Sequence, residues 1–62
     1  MTSDLPKIGA PATRALTAIG VTRLEQLADF SEQELLDLHG FGPRALRIVR
    51  DALAAEGRSL RP

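Results

Sequence analysis

The residues whose chemistry is most informative lie in one short segment, Gly40-Phe41-Gly42-Pro43-Arg44. Glycine reaches backbone angles that other residues avoid, so Gly40 and Gly42 permit a tight reversal of the chain. A helix that begins at Pro43 leaves its first N–H groups without partners, and the helix dipole makes that end positive. Such an end binds anions, and Arg44 can add a guanidinium to the same phosphate. The segment therefore predicts binding to a nucleic-acid backbone without recognition of the bases.

A tight turn between two helices that holds no ligand is the competing interpretation of this segment. Phe41 is expected to turn inward and fasten the hairpin to the core. The candidate DNA-binding residues are Gly40, Phe41, Gly42, Arg44 and Arg47, together with Lys7, Gly9 and Arg14 from an earlier, similar segment. For Arg47 the alternative is a solvated helix face, and for Lys7 and Gly9 it is a purely structural turn.

Few other residues could do chemistry. The chain has no cysteine and one histidine, His39, so neither a disulfide nor a four-ligand zinc site is expected. Ser3, Ser31 and Ser59 have no base near them in the sequence, and the acidic residues lack metal-loop spacing. We therefore predict no catalytic residue, no metal and no cofactor, and His39 is expected to be an exposed residue at a helix end.

Four helices must position these residues, over about 11–19, 23–29, 32–38 and 43–56. Pro11 and Pro43 suit the first turn of a helix, and Gly20 and Gly57 suit the end of one. Thr22 with Glu25, and Ser31 with Glu34, match the capping box, in which two side chains satisfy each other's backbone N–H groups.

Apolar residues recur at helical spacing, and no segment alternates as a strand does. The sequence therefore predicts one compact all-α domain of four to five helices over residues 1–62. We expect an ordered core at about 5–57, with mobile ends at residues 1–4 and 58–62.

The hairpin has a weak internal repeat at an offset of 33 residues. Leu5-Pro6-Lys7-Ile8-Gly9 aligns with Leu38-His39-Gly40-Phe41-Gly42, after which Ala12 falls on Ala45 and Arg14 on Arg47. Each copy is a leucine, a glycine turn around an apolar residue, and a helix. A duplicated hairpin and a chance match both remain open.

Gly40-Phe41-Gly42-Pro43-Arg44-Ala45 resembles the helix-hairpin-helix motif of DNA-binding proteins that lack sequence specificity, and residues 5–9 resemble a degenerate copy of it. Residues 8–60 resemble the C-terminal domain of the bacterial RNA polymerase alpha subunit. The likeness is closest at Glu34-Leu35-Leu36, at Gly42, Leu46 and Ile48, and at Asp51-Ala52-Leu53-Ala54-Ala55-Glu56-Gly57-Arg58-Ser59-Leu60.

This resemblance implies a SAM-like fold that docks on the DNA minor groove and contacts regulator proteins. Gly42 and Arg44 match the family's hairpin glycine and the basic residue that follows it. The family's arginine at the first helix falls on Pro11, with Arg14 one turn on, and its hairpin asparagine falls on Gly40. The resemblance therefore implies phosphate contact, with two of the usual DNA contacts replaced.

Charge is distributed unevenly although the net charge is zero. Residues 1–20 carry +1, residues 21–42 carry −4 and residues 43–62 carry +3. This favours a small oriented contact with DNA, weak in isolation. The alternative is a protein-interaction module that uses the acidic middle or an apolar patch around Leu24 and Leu27.

No membrane segment or signal peptide is recognisable, and we expect a cytoplasmic, bacterial protein.

Overall fold

The computed structural model describes residues 5–62, and these fold as a helical domain without a strand. The elements are α1 (Ala10–Ala18), a 3₁₀ helix (Leu24–Asp29), α2 (Glu32–Leu36) and α3 (Pro43–Ala55). The prediction of an all-α fold is confirmed for these residues. The third helix ends two residues earlier than predicted, and residues 1–4, expected to be mobile, lie outside the described part.

The core is formed by aliphatic side chains from every element, with one aromatic residue. Its buried members are Ile8, Ala12, Leu16, Val21, Leu24, Leu27, Leu35, Phe41, Ala45, Leu46, Val49 and Leu53. Phe41 is only 3% exposed, as predicted for the residue that fastens the hairpin. The prediction of an apolar interaction patch around Leu24 and Leu27 is wrong, because both side chains are buried in this core and cannot contact a partner.

The two short helices in the middle of the chain are capped by their own side chains. At α2 the Ser31 amide donates to Glu34 Oε1 at 2.8 Å, and the Glu34 amide donates to Ser31 Oγ at 3.2 Å, which confirms the predicted capping box. At the 3₁₀ helix the amides of Thr22 and Arg23 both donate to Gln26 Oε1 at 2.8 Å. The capping residue there is Gln26 instead of the predicted Glu25, because the helix begins one residue later.

The segment after α3 lies against the domain. The Arg58 amide donates to Leu53 O, and the Arg61 amide donates to Phe30 O, both at 2.9 Å. The Arg61 guanidinium donates to Glu34 Oε1 at 2.6 Å. The Ser31 backbone hydrogen bond first, and then Arg61, hold the pKa of Glu34 below its ordinary value of 4.5. Whereas the sequence predicts a mobile tail after residue 57, the structure gives this tail defined backbone partners.

Candidate nucleic-acid interface

Two glycine turns far apart in the sequence meet in one shallow groove of about 420 Å³. One turn precedes α1 and the other precedes α3. The groove is lined by Lys7, Ile8, Gly9, Pro11, Ala12, Gly40, Gly42, Arg44, Ala45 and Ile48. We call it the glycine groove. Five of the eight candidate residues line it, and its charged side chains, Lys7 and Arg44, are both basic.

The two turns, which are related by the sequence offset of 33 residues, form equivalent hydrogen bonds at the starts of their helices. The Thr13 amide donates to Gly9 O, and the Leu46 amide donates to Gly42 O, each at 3.0 Å. These bonds start α1 and α3 in the same way. Ile8 and Phe41, the apolar residues of the two turns, are both buried. The repeated segments thus occupy matching places at the starts of two helices.

The N-termini that face the glycine groove carry no side-chain cap. Neither Gly9 before α1 nor Gly42 before α3 offers a side chain, and no side-chain cap bond is present at either helix. The first N–H groups of an α-helix have no acceptor within the helix. Among the described α-helices, α2 alone has a side-chain cap bond at its start, and the two starts without one both border the glycine groove.

The three glycines of the groove differ in whether the fold requires them. Gly40 has φ +92°, and a Cβ there would lie 3.0 Å from Pro11 O, so it permits α1 to approach the hairpin. Gly9 has φ +94°, a conformation that L side chains rarely adopt. Gly42 has φ −109°, an ordinary extended value, and a Cβ there would meet no atom within 4 Å. The expectation that Gly42 needs a glycine-only backbone conformation is wrong, because the turn is made at Gly40.

Arg14 and His39 lie beside the glycine groove. They line a neighbouring depression that shares Pro11 and Gly40 with it. Both side chains are exposed, as expected for His39. The structure thus places Arg14 near the hairpin, outside the glycine groove.

Phe41 and Arg47 differ from the other candidates. The Phe41 side chain is buried and its amide donates to Leu38 O at 3.1 Å, so this residue positions the turn and has no N–H left for a ligand. Arg47 lines a different groove, on another flank of α3, together with Arg50 and Arg58. The structure does not bring Arg47 together with the glycine turns.

The close approach of Pro11 to Gly40 was missed at the sequence level. The contact joins residues 29 positions apart (40 minus 11), and no local pattern signals it. The weak repeat is the one signal that could have found it, because it places two glycine turns in equivalent surroundings. Pro11, which was expected in the first turn of a helix and at the position of the family's arginine, is also part of the wall of the groove.

Within residues 5–62, no group of three or more histidine, aspartate or glutamate side chains could hold a metal ion. In the same range, no helix is both long enough and apolar enough to cross a membrane.

Sequence comparison finds relatives among RNA polymerase subunits. The chain is 45% identical over 42 residues, 68% of its length, to the DNA-directed RNA polymerase subunit alpha of Tropheryma whipplei strain Twist, and equally to that of strain TW08/27. The chain spans 13% of the length of each relative. No protein-family profile and no solved structure matches it. The predicted resemblance to the alpha subunit is confirmed, and it agrees with the prediction that this chain is not an enzyme.

Proposed function

We propose that this domain is a non-catalytic module that binds the phosphate backbone of DNA through the glycine groove, largely without sequence specificity. The observation that carries the proposal is the meeting of two uncapped helix starts with two basic side chains, Lys7 and Arg44, in one groove. Helix N-termini and basic side chains both attract phosphate oxygens. A turn without a ligand would need neither feature.

Each helix start offers backbone donors to one phosphate. Proline has no N–H, so the first donors of α3 belong to Arg44 and Ala45, and those of α1 belong to Ala10 and Ala12. At the glycine turn before α3, the Arg44 guanidinium adds a charge-assisted hydrogen bond to the phosphate. The two turns thus suit two phosphates of one duplex, in the manner of a duplicated helix-hairpin-helix.

Gly42 supports the proposal because its own surroundings do not require a glycine. Its φ is ordinary and the space beside its Cα is open. In a phosphate-binding turn, that open space is where the phosphodiester approaches the backbone. The lack of a side chain at Gly42 is therefore explained by a ligand.

The similarity to the alpha subunit of a DNA-directed RNA polymerase extends the proposal to fold and context. We assign the domain a SAM-like helix-hairpin-helix fold, like the C-terminal domain of that subunit, and a role in a transcription complex with DNA and protein partners. Pro11 and Gly40 replace the family's arginine and asparagine, so we propose backbone contact in place of minor-groove recognition. DNA and its polymerase lie in the bacterial cytoplasm, which is the location that this role implies.

The affinity of the isolated domain should be weak because few phosphates are contacted. Nonspecific DNA binding of this kind has a Kd on the order of 10⁻⁴–10⁻⁶ M and weakens as salt rises. A module with such affinity works when it is held close to DNA by a larger assembly.

A ¹⁵N NMR titration with a short DNA duplex tests the proposal. At low salt, we expect the amides of Gly9, Gly42 and Arg44 to shift and to return as salt is added. The Arg23→Gln variant is the matched control, since Arg23 is exposed and lines no part of the glycine groove. The proposal is wrong if the groove amides stay unchanged in a folded domain, or if Arg23→Gln weakens binding as much as Arg44→Gln does.

A further inference from the structure

A second basic groove lies between α3 and the C-terminal tail. It has a volume of about 400 Å³ and is lined by Arg47, Arg50, Asp51, Ala54, Arg58, Ser59 and Leu60. We call it the arginine groove. Three arginines and one aspartate line it, which gives an excess of positive charge. The two grooves share no lining residue.

The arginine groove is preformed, because the tail that makes one wall is fixed at two points. The Arg58 amide donates to Leu53 O and the Arg61 amide donates to Phe30 O. Leu60, between these two bonds, is partly buried against the core. A ligand would therefore meet an existing surface instead of having to order a loose segment.

The arginines of this groove are accessible to an incoming anion. Arg47 has no ion-pair partner among residues 5–62. Arg50 pairs with Glu32 at 3.3 Å and Arg58 with Glu56 at 3.8 Å, but the two arginine side chains remain 59% and 51% exposed. Exposed ion pairs contribute little stability, so a ligand carboxylate can compete for these guanidinium groups.

The two grooves lie on different flanks of α3. Successive residues of an α-helix turn by about 100°. On this basis the α3 residues of the two grooves centre roughly 115° apart around the helix axis. Those of the glycine groove are Arg44, Ala45 and Ile48, and those of the arginine groove are Arg47, Arg50, Asp51 and Ala54. A duplex seated in the glycine groove therefore leaves the arginine groove open.

We propose that the arginine groove binds an acidic segment of a partner protein. Asp51 lies within the groove, and Glu32 and Glu56 lie beside its arginines. These carboxylates would repel a continuous phosphate backbone, whereas a peptide can space its own carboxylates to avoid them. Ala54 and Leu60 add an apolar floor, which suits a peptide side chain and which a phosphodiester does not use. This inference stands independently of the DNA proposal.

The test is a ¹⁵N NMR titration of the whole domain with a capped oligoglutamate peptide at low salt. We expect the Arg47, Arg58 and Ser59 amides to shift while those of Gly9 and Gly42 stay unchanged. The Arg47→Glu variant should weaken the interaction about fivefold or more, as expected where like charges are brought together. Arg23→Glu makes the same change of net charge outside both grooves and should leave the affinity within about twofold.

Three results would overturn this inference: no shifts at the highest peptide concentration, equal weakening by Arg47→Glu and Arg23→Glu, or a DNA duplex that shifts the Arg47 and Arg58 amides in place of the peptide. The last result would assign the groove to nucleic acid. The duplex titration reports on the glycine groove through the Gly42 amide and the peptide titration reports on the arginine groove through the Arg47 amide, so failure of one proposal is distinguishable from failure of the other. Thermal unfolding of each variant confirms that a lost interaction is not a lost fold.

Discussion

Replacement of Gly42 by alanine separates a phosphate-binding turn from a merely structural one. In the folded domain the added methyl meets no atom within 4 Å and the backbone φ of −109° suits alanine. Alanine is a poorer N-cap residue than glycine, which lowers stability. It also reduces the conformational entropy of the unfolded chain, which stabilises the fold by about 0.4–1 kcal/mol. These effects oppose each other, so we expect the free energy of unfolding to change by less than about 1 kcal/mol.

DNA binding should respond much more strongly to Gly42→Ala. The methyl stands at the start of α3, where a phosphate oxygen would approach the first N–H groups. A hydrogen bond to a charged group contributes about 1.5–3 kcal/mol, so losing one such bond raises the Kd about tenfold to a hundredfold. Fluorescence anisotropy with a labelled duplex at low salt measures the Kd, and urea unfolding followed by circular dichroism measures stability.

Gly20→Ala is the matched control for this experiment. Gly20 has φ +84° and open space around it, and it lies at the other end of α1 from the glycine groove. This variant should lose about 1–2 kcal/mol of stability to backbone strain, yet bind DNA normally wherever it is folded. Unchanged DNA binding by a folded Gly42→Ala variant would refute the explanation of Gly42 as a phosphate contact.

Three further predictions concern single side chains. Arg44→Gln should weaken DNA binding and make the plot of log binding constant against log salt concentration shallower by about 0.9, measured by anisotropy over a salt series. Arg23→Gln should leave this slope unchanged. Phe41→Ala removes a side chain that is 3% exposed and should destabilise the fold by about 3–5 kcal/mol in urea unfolding; a loss below about 1 kcal/mol would contradict its place in the core. The pKa of Glu34 is lowered in the folded state by the Ser31 amide and by Arg61. The ionised Glu34 carboxylate therefore stabilises the fold above the unfolded pKa near 4.5, and this stabilisation is lost as pH falls through the lower folded pKa. Glu34→Gln should therefore be less stable than the wild type at neutral pH and equally stable well below pH 4.5; a difference independent of pH would contradict this.

Local features of this fold were predictable because their partners lie close together in the sequence. Ser31 and Glu34 are three residues apart, and both form the predicted capping bonds. The same pattern failed at Thr22 and Glu25 by a single residue, since the 3₁₀ helix begins at Leu24 and brings Gln26 to the capping position. A shift of one residue lies within the ordinary uncertainty of helix ends, and it is enough to change which side chain caps.

The glycine groove could not be derived from local patterns, because it depends on contacts between distant residues. The sequence marked Gly40 and Gly42 as one turn, but it is the approach of Pro11 that gives them separate roles. Arg47 shows the same limitation. The sequence made Arg47 a candidate DNA-binding residue together with Arg44, whereas Arg47 lines the arginine groove, one wall of which is the tail. The tail itself has no apolar periodicity that would predict its docking.

A net charge of zero is compatible with DNA binding when the charges are separated in space. Lys7 and Arg44 line the glycine groove, whereas the acidic residues of α2 lie outside it and are partly neutralised by Arg50 and Arg61. Few phosphates can be neutralised by two basic side chains, so steep salt dependence is not expected. Charge separation thus supplies orientation, and it leaves affinity to be provided by another contact.

A protein contact at the arginine groove would provide that affinity without changing the DNA contact. A tether that holds the domain near DNA at an effective concentration of about 1 mM would keep the glycine groove about 90% occupied even for a Kd of about 10⁻⁴ M. The two grooves require no conformational coupling for this effect, because they lie on different flanks of α3 and bind different chemistry. It follows that Arg47→Glu should leave the DNA affinity of the isolated domain nearly unchanged, yet reduce its occupancy on DNA within an assembly that holds it through an acidic segment.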